Sequence, residues 1–246
     1  MENAQLIGLS RQTALRNQLD VVANNMANIN SAGFKTQNLL FEEYLMPVAE
    51  ATEFETQDET LSYVLDYTSH TDFSNGSFKV TGNELDMALE GDGFFVVQMD
   101  DGGEAYTRNG AFHLDASGQL VTSDGRPVLT SAGPLTFTRE DGTIEIAEDG
   151  TIATELGIRG QIRVASFEDP QELEKLGDTL FLGENAGIAN GTKVVQGALE
   201  QSNVDGIFEV TRLIEITRSY ESVSKMLKDI DELTQQAIST LGKIQA

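Results

Sequence analysis

The chain has 246 residues, 39% of them apolar, with 16 Lys and Arg against 40 Asp and Glu, for a net charge of −24. That length allows one large domain or two modest ones, and so acidic a chain repels phosphate, which excludes a general nucleic-acid binder and disfavours an anionic membrane surface. With no cysteine, disulfides, thiol catalysis and Cys-ligated zinc are excluded.

Residues 1–35 carry a net +1, residues 36–80 carry −8, residues 81–195 carry −14 and residues 196–246 carry −3. Large like charge resists close association, so the nearly neutral ends are the parts expected to pack against copies of themselves. The opening Met1–Ser10 lacks the basic start and long apolar stretch of a cleaved signal peptide, so export is expected to proceed without one. No apolar run approaches the 18 residues of a membrane span, and no direct membrane insertion is expected.

Four regions follow in order: an N-terminal helix in 1–35, an extended connector in 36–80, an all-β region in 81–195 and a C-terminal helix in 196–246. Within the first, 3–30 read as helix. Leu15, Leu19, Val22, Met26 and Ile29 fall four and three apart, a short coiled-coil seam. Asn24, Asn25, Asn28 and Asn30 are poor helix formers whose cost polar contacts must offset, and Gly33 supplies a stop. The connector scatters Phe41, Tyr44, Phe54, Tyr63, Tyr67, Phe73 and Phe78 among acids, Thr and Ser without a sustained period, which predicts short strands ordered by their neighbours.

From 81 to 195 turn dipeptides recur at Asp92-Gly93, Asp101-Gly102, Asn109-Gly110, Ser117-Gly118, Asp124-Gly125, Asp141-Gly142 and Asp149-Gly150. Such pairs accept positive φ and favour hairpins. The β-prone runs Phe94-Phe95-Val96-Val97 and Leu120-Val121-Thr122 lie between them, predicting a compact barrel or sandwich. The end of the chain holds the strongest period: Leu213, Ile216, Tyr220, Val223, Leu227, Ile230, Thr234, Ala237, Leu241 and Ile244 alternate three and four apart. That is a long amphipathic helix built for a bundle. The predicted fold is α+β, with long terminal coiled-coil helices packed together and a barrel- or sandwich-like β domain inserted between them. One seam used once is marginal against the entropy of ordering it, so both ends are expected to become fully ordered on assembly.

The residues offer little catalytic chemistry. His70 and His113 stand outside any zinc-ligand spacing, and neither a nucleophile elbow nor a Walker loop occurs. Gly91-Asp92-Gly93 begins a dinucleotide-like pattern that Val96 ends. Asp115–Gln119 faintly suggests a calcium loop, but Arg126 stands where a bidentate Glu belongs. Asp92 and Asp124 are weak candidates for a catalytic carboxylate pair. The expectation is therefore no catalytic, cofactor-binding or metal site. A different class of reading remains open, a secreted acidic β-module that binds calcium or glycans and uses its helices as an oligomerisation stalk.

Three motifs carry a resemblance. Leu19-Asp-Val-Val-Ala-Asn-Asn-Met-Ala-Asn-Ile-Asn-Ser-Ala-Gly-Phe-Lys35 resembles the N-terminal signature of bacterial flagellar rod and hook proteins, with Asn24, Asn25, Asn28, Gly33 and Phe34 as its signature residues. Leu85–Val97, Tyr106-Thr-Arg-Asn-Gly-Ala-Phe112 and Gly118-Gln-Leu-Val-Thr122 are similar to the β-domain of that family, and Gln196-Gly-Ala-Leu-Glu-Gln-Ser-Asn-Val204 to the lead-in of its C-terminal helix. The chain is too short for a hook protein. Ile7-Gly-Leu-Ser-Arg-Gln12 and Phe41-Glu-Glu-Tyr-Leu45 resemble the proximal-rod branch, with the distal-rod branch as runner-up. Asp205-Gly206-Ile207-Phe208 and Ser222-Val223 depart from the family pattern.

The resemblance implies a non-enzymatic subunit of the basal-body rod that spans the periplasm. It implies delivery by the flagellar type III export apparatus, and other rod proteins or further copies as partners. The terminal helices would form an inner, axial layer that transmits torque, with the β-domain outside it.

Overall fold

The computed structural model describes residues 2–46, 61–177, 179–189 and 191–244. The element order is helix, many short strands, helix, which makes the chain α+β with an inserted β region. It divides into two compact units. One gathers 1–26, 37–70 and 205–246; the other gathers 27–36 and 71–204.

In the first unit, helix α1 spans Glu2–Ala27. It stops short of the predicted residue 30 because the chain turns: the Ser31 amide donates to Asn28 O at 3.1 Å and the Ser31 hydroxyl to Asn28 Oδ1 at 2.8 Å. A backbone turn closed over three residues and clasped by a side-chain bond takes the place of the helix ladder there. Helix α2 spans Gly206–Ile244. Asp205 caps it, its Oδ1 accepting from the amides of Ile207 at 2.9 Å and Phe208 at 3.2 Å. The departure from the family pattern thus supplies a strong N-cap whose charge suits the helix dipole. Much of the predicted connector is a two-stranded sheet of Gln37–Met46 and Leu61–Thr71, with longer strands than the scattered aromatics suggest. Phe54 lies outside the described residues, as do the side chains of Phe41, Tyr44, Tyr63 and Tyr67.

The second unit is built around Phe94–Gln98, which has neighbours on both sides in a six-stranded antiparallel sheet. The strand order is Glu174–Lys175, Leu180–Leu182, Glu104–Thr107, Phe94–Gln98, Val164–Ser166 and Gly187–Ile188. Successive strand residues face opposite sides. Phe95 and Val97 therefore join one cluster with Met87, Leu120, Ile152 and Ile162, while Phe94 and Val96 join a second with Tyr106, Leu129 and Phe181. A strand buried on both faces reads as the unbroken apolar run seen in the sequence. Phe94 packs edge-on against Phe73 and Phe181, with ring centroids 5.7 and 5.8 Å apart.

Around this sheet lie smaller ones: Met87–Glu90 with Lys193–Gln196, Phe78–Val80 with Ala198–Glu200, and the triple Ile144–Ile146, Thr151–Thr154 and Gly157–Gln161. Gly102, Gly118, Gly125, Gly142 and Gly150 take positive φ at their turns, as their dipeptides predict. Gly93 and Gly110 do not. Gly110 is required for a different reason: a Cβ there would stand 1.7 Å from Met87 O.

Candidate functional site

Within the first unit the helices run antiparallel. Leu227 lies against Gly8, where an added Cβ would come 2.6 Å from its Cδ2; Gln12 Nε2 donates to Ser224 Oγ at 3.0 Å; Asn25 Nδ2 donates to Glu209 Oε1 at 3.2 Å. These pairs have a nearly constant sum of residue numbers, as an antiparallel hairpin requires. On α2, Ile216 and Val223 are buried, and Leu213, Tyr220, Leu227, Ile230 and Thr234 are half-buried. Ala237 is exposed, and the side chains of Leu241 and Ile244 lie outside the described residues. On α1, Val22 is buried and Leu15, Leu19 and Met26 are half-buried. Ile29 falls elsewhere: it follows the end of α1 and is exposed, because the period was extended across the Asn28 turn.

Extrapolating the pairing brings the start of α1 opposite Leu233. At 1.5 Å per residue, α2 is about 58 Å long and α1 about 39 Å, and residues 234–244 at the end of α2 overhang by roughly 16 Å. Leu233 is 61% exposed and Ile238 66%. Ile207, Val210 and Ile214 form a second exposed stripe near the start of α2, beside the seam, and Leu6 and Leu9 are exposed on α1.

The end of the hairpin is fixed by polar contacts that the heptad does not reveal. Asn25 Nδ2 donates to Gln37 O at 2.9 Å while Oδ1 accepts from the Gln37 amide at 3.1 Å, so one side chain imitates a strand neighbour. Arg212 Nη1 donates to Asn38 Oδ1 at 2.6 Å. Both Asn25 and Glu209 are buried. Of the remaining signature residues, Asn24 is half-buried on α1 and Asn28 is buried in the turn.

In the second unit, the three motifs meet at one buried ion cluster. Gly33, with φ of 69°, brings its backbone so close to Arg108 and Asn109 that a Cβ would stand 2.3 Å from Arg108 C. Its amide donates to Glu200 O at 2.8 Å. Phe34 is fully buried, with Lys175 Nζ 4.3 Å from its ring centroid. Lys35 Nζ donates to Glu200 Oε1 and to Ser74 O, both at 2.7 Å, and the Gly76 amide donates to Glu200 Oε1 at 2.9 Å. Arg108 Nη1 stands 3.5 Å from Glu200 Oε2, and its guanidinium lies 5.1 Å from the centre of the Phe94 ring.

Lys35, Arg108 and Glu200 are each at most 2% exposed. Burial pushes both cations below their ordinary pKa, and Glu200 opposes that shift at each. Beside them, Asn203 Oδ1 accepts from the amide and hydroxyl of Thr36, both at 2.8 Å, and its Nδ2 donates to Asp72 O at 2.8 Å. Lys35, Arg108, Glu200, Asn203 and Glu209 went unassigned in the sequence; the only signal was that the first four lie in motif segments.

The features weighed for chemistry are placed otherwise. Asp92 and Asp124 are exposed on separate turns. Asp115 spends its Oδ1 on its own loop, accepting from the Ser117 amide and hydroxyl and the Gln119 amide, which holds the carboxyl below its usual range. A groove of about 1040 Å³ on the second unit is lined by Glu104, Glu168, Asp169, Glu172, Glu174 and Glu184 among others. Among the described residues, no His, Cys, Asp and Glu side chains are grouped to hold a metal ion.

Three family models match this chain: flagella basal body rod protein over residues 6–35, flagellar hook protein FlgE/F/G D1 domain over 88–164, and flagellar basal body rod FlgEFG protein C-terminal over 195–240. The chain is 38% identical to flagellar basal-body rod protein FlgF of Caulobacter vibrioides over 250 aligned residues, which cover 99% of this chain and all of the relative. It is 32% identical to FlgF of Rhizobium meliloti, over 98% of this chain and 99% of the relative. It is 33% identical to flagellar basal-body rod protein FlgG of Bacillus subtilis, over 94% and 96%.

Proposed function

Because the chain belongs to the flagellar basal-body rod family, F type, and is a structural subunit of that rod rather than an enzyme, we propose that its terminal helices are the layer through which the rod assembles. Family membership implies contact with other rod and basal-body components; on this reading the contacts run through the apolar surface that the antiparallel hairpin leaves uncovered. The observation that carries it is the overhang of α2, with Leu233 exposed opposite the start of α1 and Ile238 exposed beyond its reach. Apolar side chains in such a position bury their surface only against another chain.

The paired helices then act as a coiled-coil seam, and neighbouring hairpins interdigitate through the overhang and the Ile207, Val210 and Ile214 stripe. Torque passes through these seams because close-packed interfaces resist continuous deformation. The β unit is sandwich- or barrel-like in its small sheets. The subunit sits in the proximal rod and arrives through the flagellar type III export apparatus. The relatives and family models favour neither the calcium- or glycan-binding module nor a carboxylate enzyme.

The test is a chain lacking residues 235–246. It keeps the α2 face from Leu213 through Thr234, so it should fold as the full chain does yet fail to enter basal bodies and fail to support motility in a strain lacking the native protein. Normal motility from that chain would refute the reading.

A further inference from the structure

We infer that Glu200 is a positioning residue: it is the counter-ion that allows the signature segment 27–36 to dock on the β unit, so this docking is a local step controlled by a single buried charge. The cluster brings Lys35 and Arg108 into one desolvated space, where burial first and then the Arg108 charge push Lys35 below its ordinary pKa. Glu200 Oε1 accepts from Lys35 at 2.7 Å and Glu200 Oε2 lies 3.5 Å from Arg108, so one carboxylate separates two cations. The other anions acting on the pair, Asp72 toward Lys35 and Asp92 toward Arg108, are exposed and act from the rim.

The polar complement is incomplete. Arg108 Nε and Glu200 Oε2 are buried and make no hydrogen bond. The Arg108 side of the cluster is thus held by charge balance more than by hydrogen-bond geometry, whereas Lys35 is hydrogen-bonded to Glu200 Oε1. Removing one member of a buried ion group leaves an uncompensated charge and is far costlier than removing oppositely charged members together. Without the Glu200 charge, two cations face each other. The cheapest escape is for segment 27–36 to lift away, carrying Lys35 into water, while Arg108 stays just past the end of the strand Glu104–Thr107, its guanidinium at the Phe94 ring. That escape breaks the Gly33 amide bond to Glu200 O and the Thr36 amide bond to Asn203 Oδ1, and it leaves the two-sided core around Phe94–Gln98 intact.

Native-state amide exchange on the full-length chain tests this. In Glu200→Gln, which keeps size and an acceptor oxygen, the amides of Gly33, Phe34 and Thr36 should exchange at least tenfold faster, while those of Phe95 and Val97 hold their wild-type rates. Lys35→Met should change the same amides less than threefold, because it leaves Arg108 and Glu200 as a balanced pair. The double variant Lys35→Met, Glu200→Gln should recover most of the lost protection, a non-additive result peculiar to charge compensation. If Glu200→Gln fails to fold, folding of the double variant supports the assignment, and failure of both overturns it. It is equally overturned if Glu200→Gln leaves the segment protected, if it speeds Phe95 and Val97 by the same factor, or if the double variant exchanges as fast as Glu200→Gln. None of these readings depends on rod assembly.

Discussion

Replacing Ile238 by Asp separates a surface kept for partners from one closed within the chain. Ile238 is 66% exposed on the overhang of α2, so in the free chain the change touches little and should alter stability by no more than about 0.5 kcal/mol. On the proposed assembly the same position is desolvated in the rod, and burying an unpaired carboxylate there costs several kcal/mol. Each 1.4 kcal/mol is about tenfold in affinity, so incorporation should fall by at least roughly a hundredfold. Val223→Asp is the mirror experiment. Val223 is 6% exposed and faces α1, so a charge there should open the hairpin of the free chain as well, losing on the order of 3 kcal/mol or more. Thermal melting of purified chains, with the amount of each variant in isolated basal bodies, reads both effects. An Ile238→Asp chain that fills the rod normally, or one whose isolated fold collapses, would refute the reasoning.

Other substitutions probe the parts separately. Gly33→Ala must hold a φ of 69° and place its Cβ 2.3 Å from Arg108 backbone, so it should lose about 2 kcal/mol or more and lower the Tm measured by calorimetry. Asn25→Asp would set a second carboxylate beside buried Glu209, which should loosen the hairpin more than Asn25→Ser does; helical circular dichroism on heating ranks the two. Asp141 accepts from Arg159 Nε at 2.5 Å and Nη2 at 2.6 Å and from the Thr138 amide at 2.6 Å, which holds its carboxyl well below the usual range. A depressed carboxylate stabilises the fold above its ordinary pKa of about 4 and loses that effect as pH falls toward its folded value. The stability gap between wild type and Asp141→Asn, measured by urea unfolding, should therefore be constant from pH 7 down to about 5 and close in stronger acid.

The sequence was most legible where a single period decides structure. The spacing of Leu213 through Thr234 marks the face that α2 turns to α1, and the run Phe94–Val97 marks a strand buried on both sides. It was least legible where the period crosses a change of backbone. Ile29 continues the α1 count arithmetically, but the Asn28–Ser31 turn has already ended the helix. The pairing of Gln37–Met46 with Leu61–Thr71 was hidden because Leu-Leu-Phe-Glu-Glu-Tyr-Leu does not alternate. The ion cluster was hidden for a different reason. Lys, Arg and Glu are ordinarily surface residues, and only the fold brings Lys35, Arg108 and Glu200 from three distant segments into one dry space. Gly110 shows the same limit in miniature: its dipeptide reads as a turn, whereas Met87 O is what forbids a side chain there.

The chain has no native cysteine, so a single Ile238→Cys thiol reports on the overhang alone. Maleimide labelling of that thiol, compared between purified monomer and intact basal bodies, asks whether the uncovered end of α2 is where the subunit joins the shaft. Rapid labelling in the monomer and protection in the basal body, with an Asp124→Cys control labelled in both, is the expected result. Equal labelling of position 238 in the two states would contradict the proposed assembly through this surface.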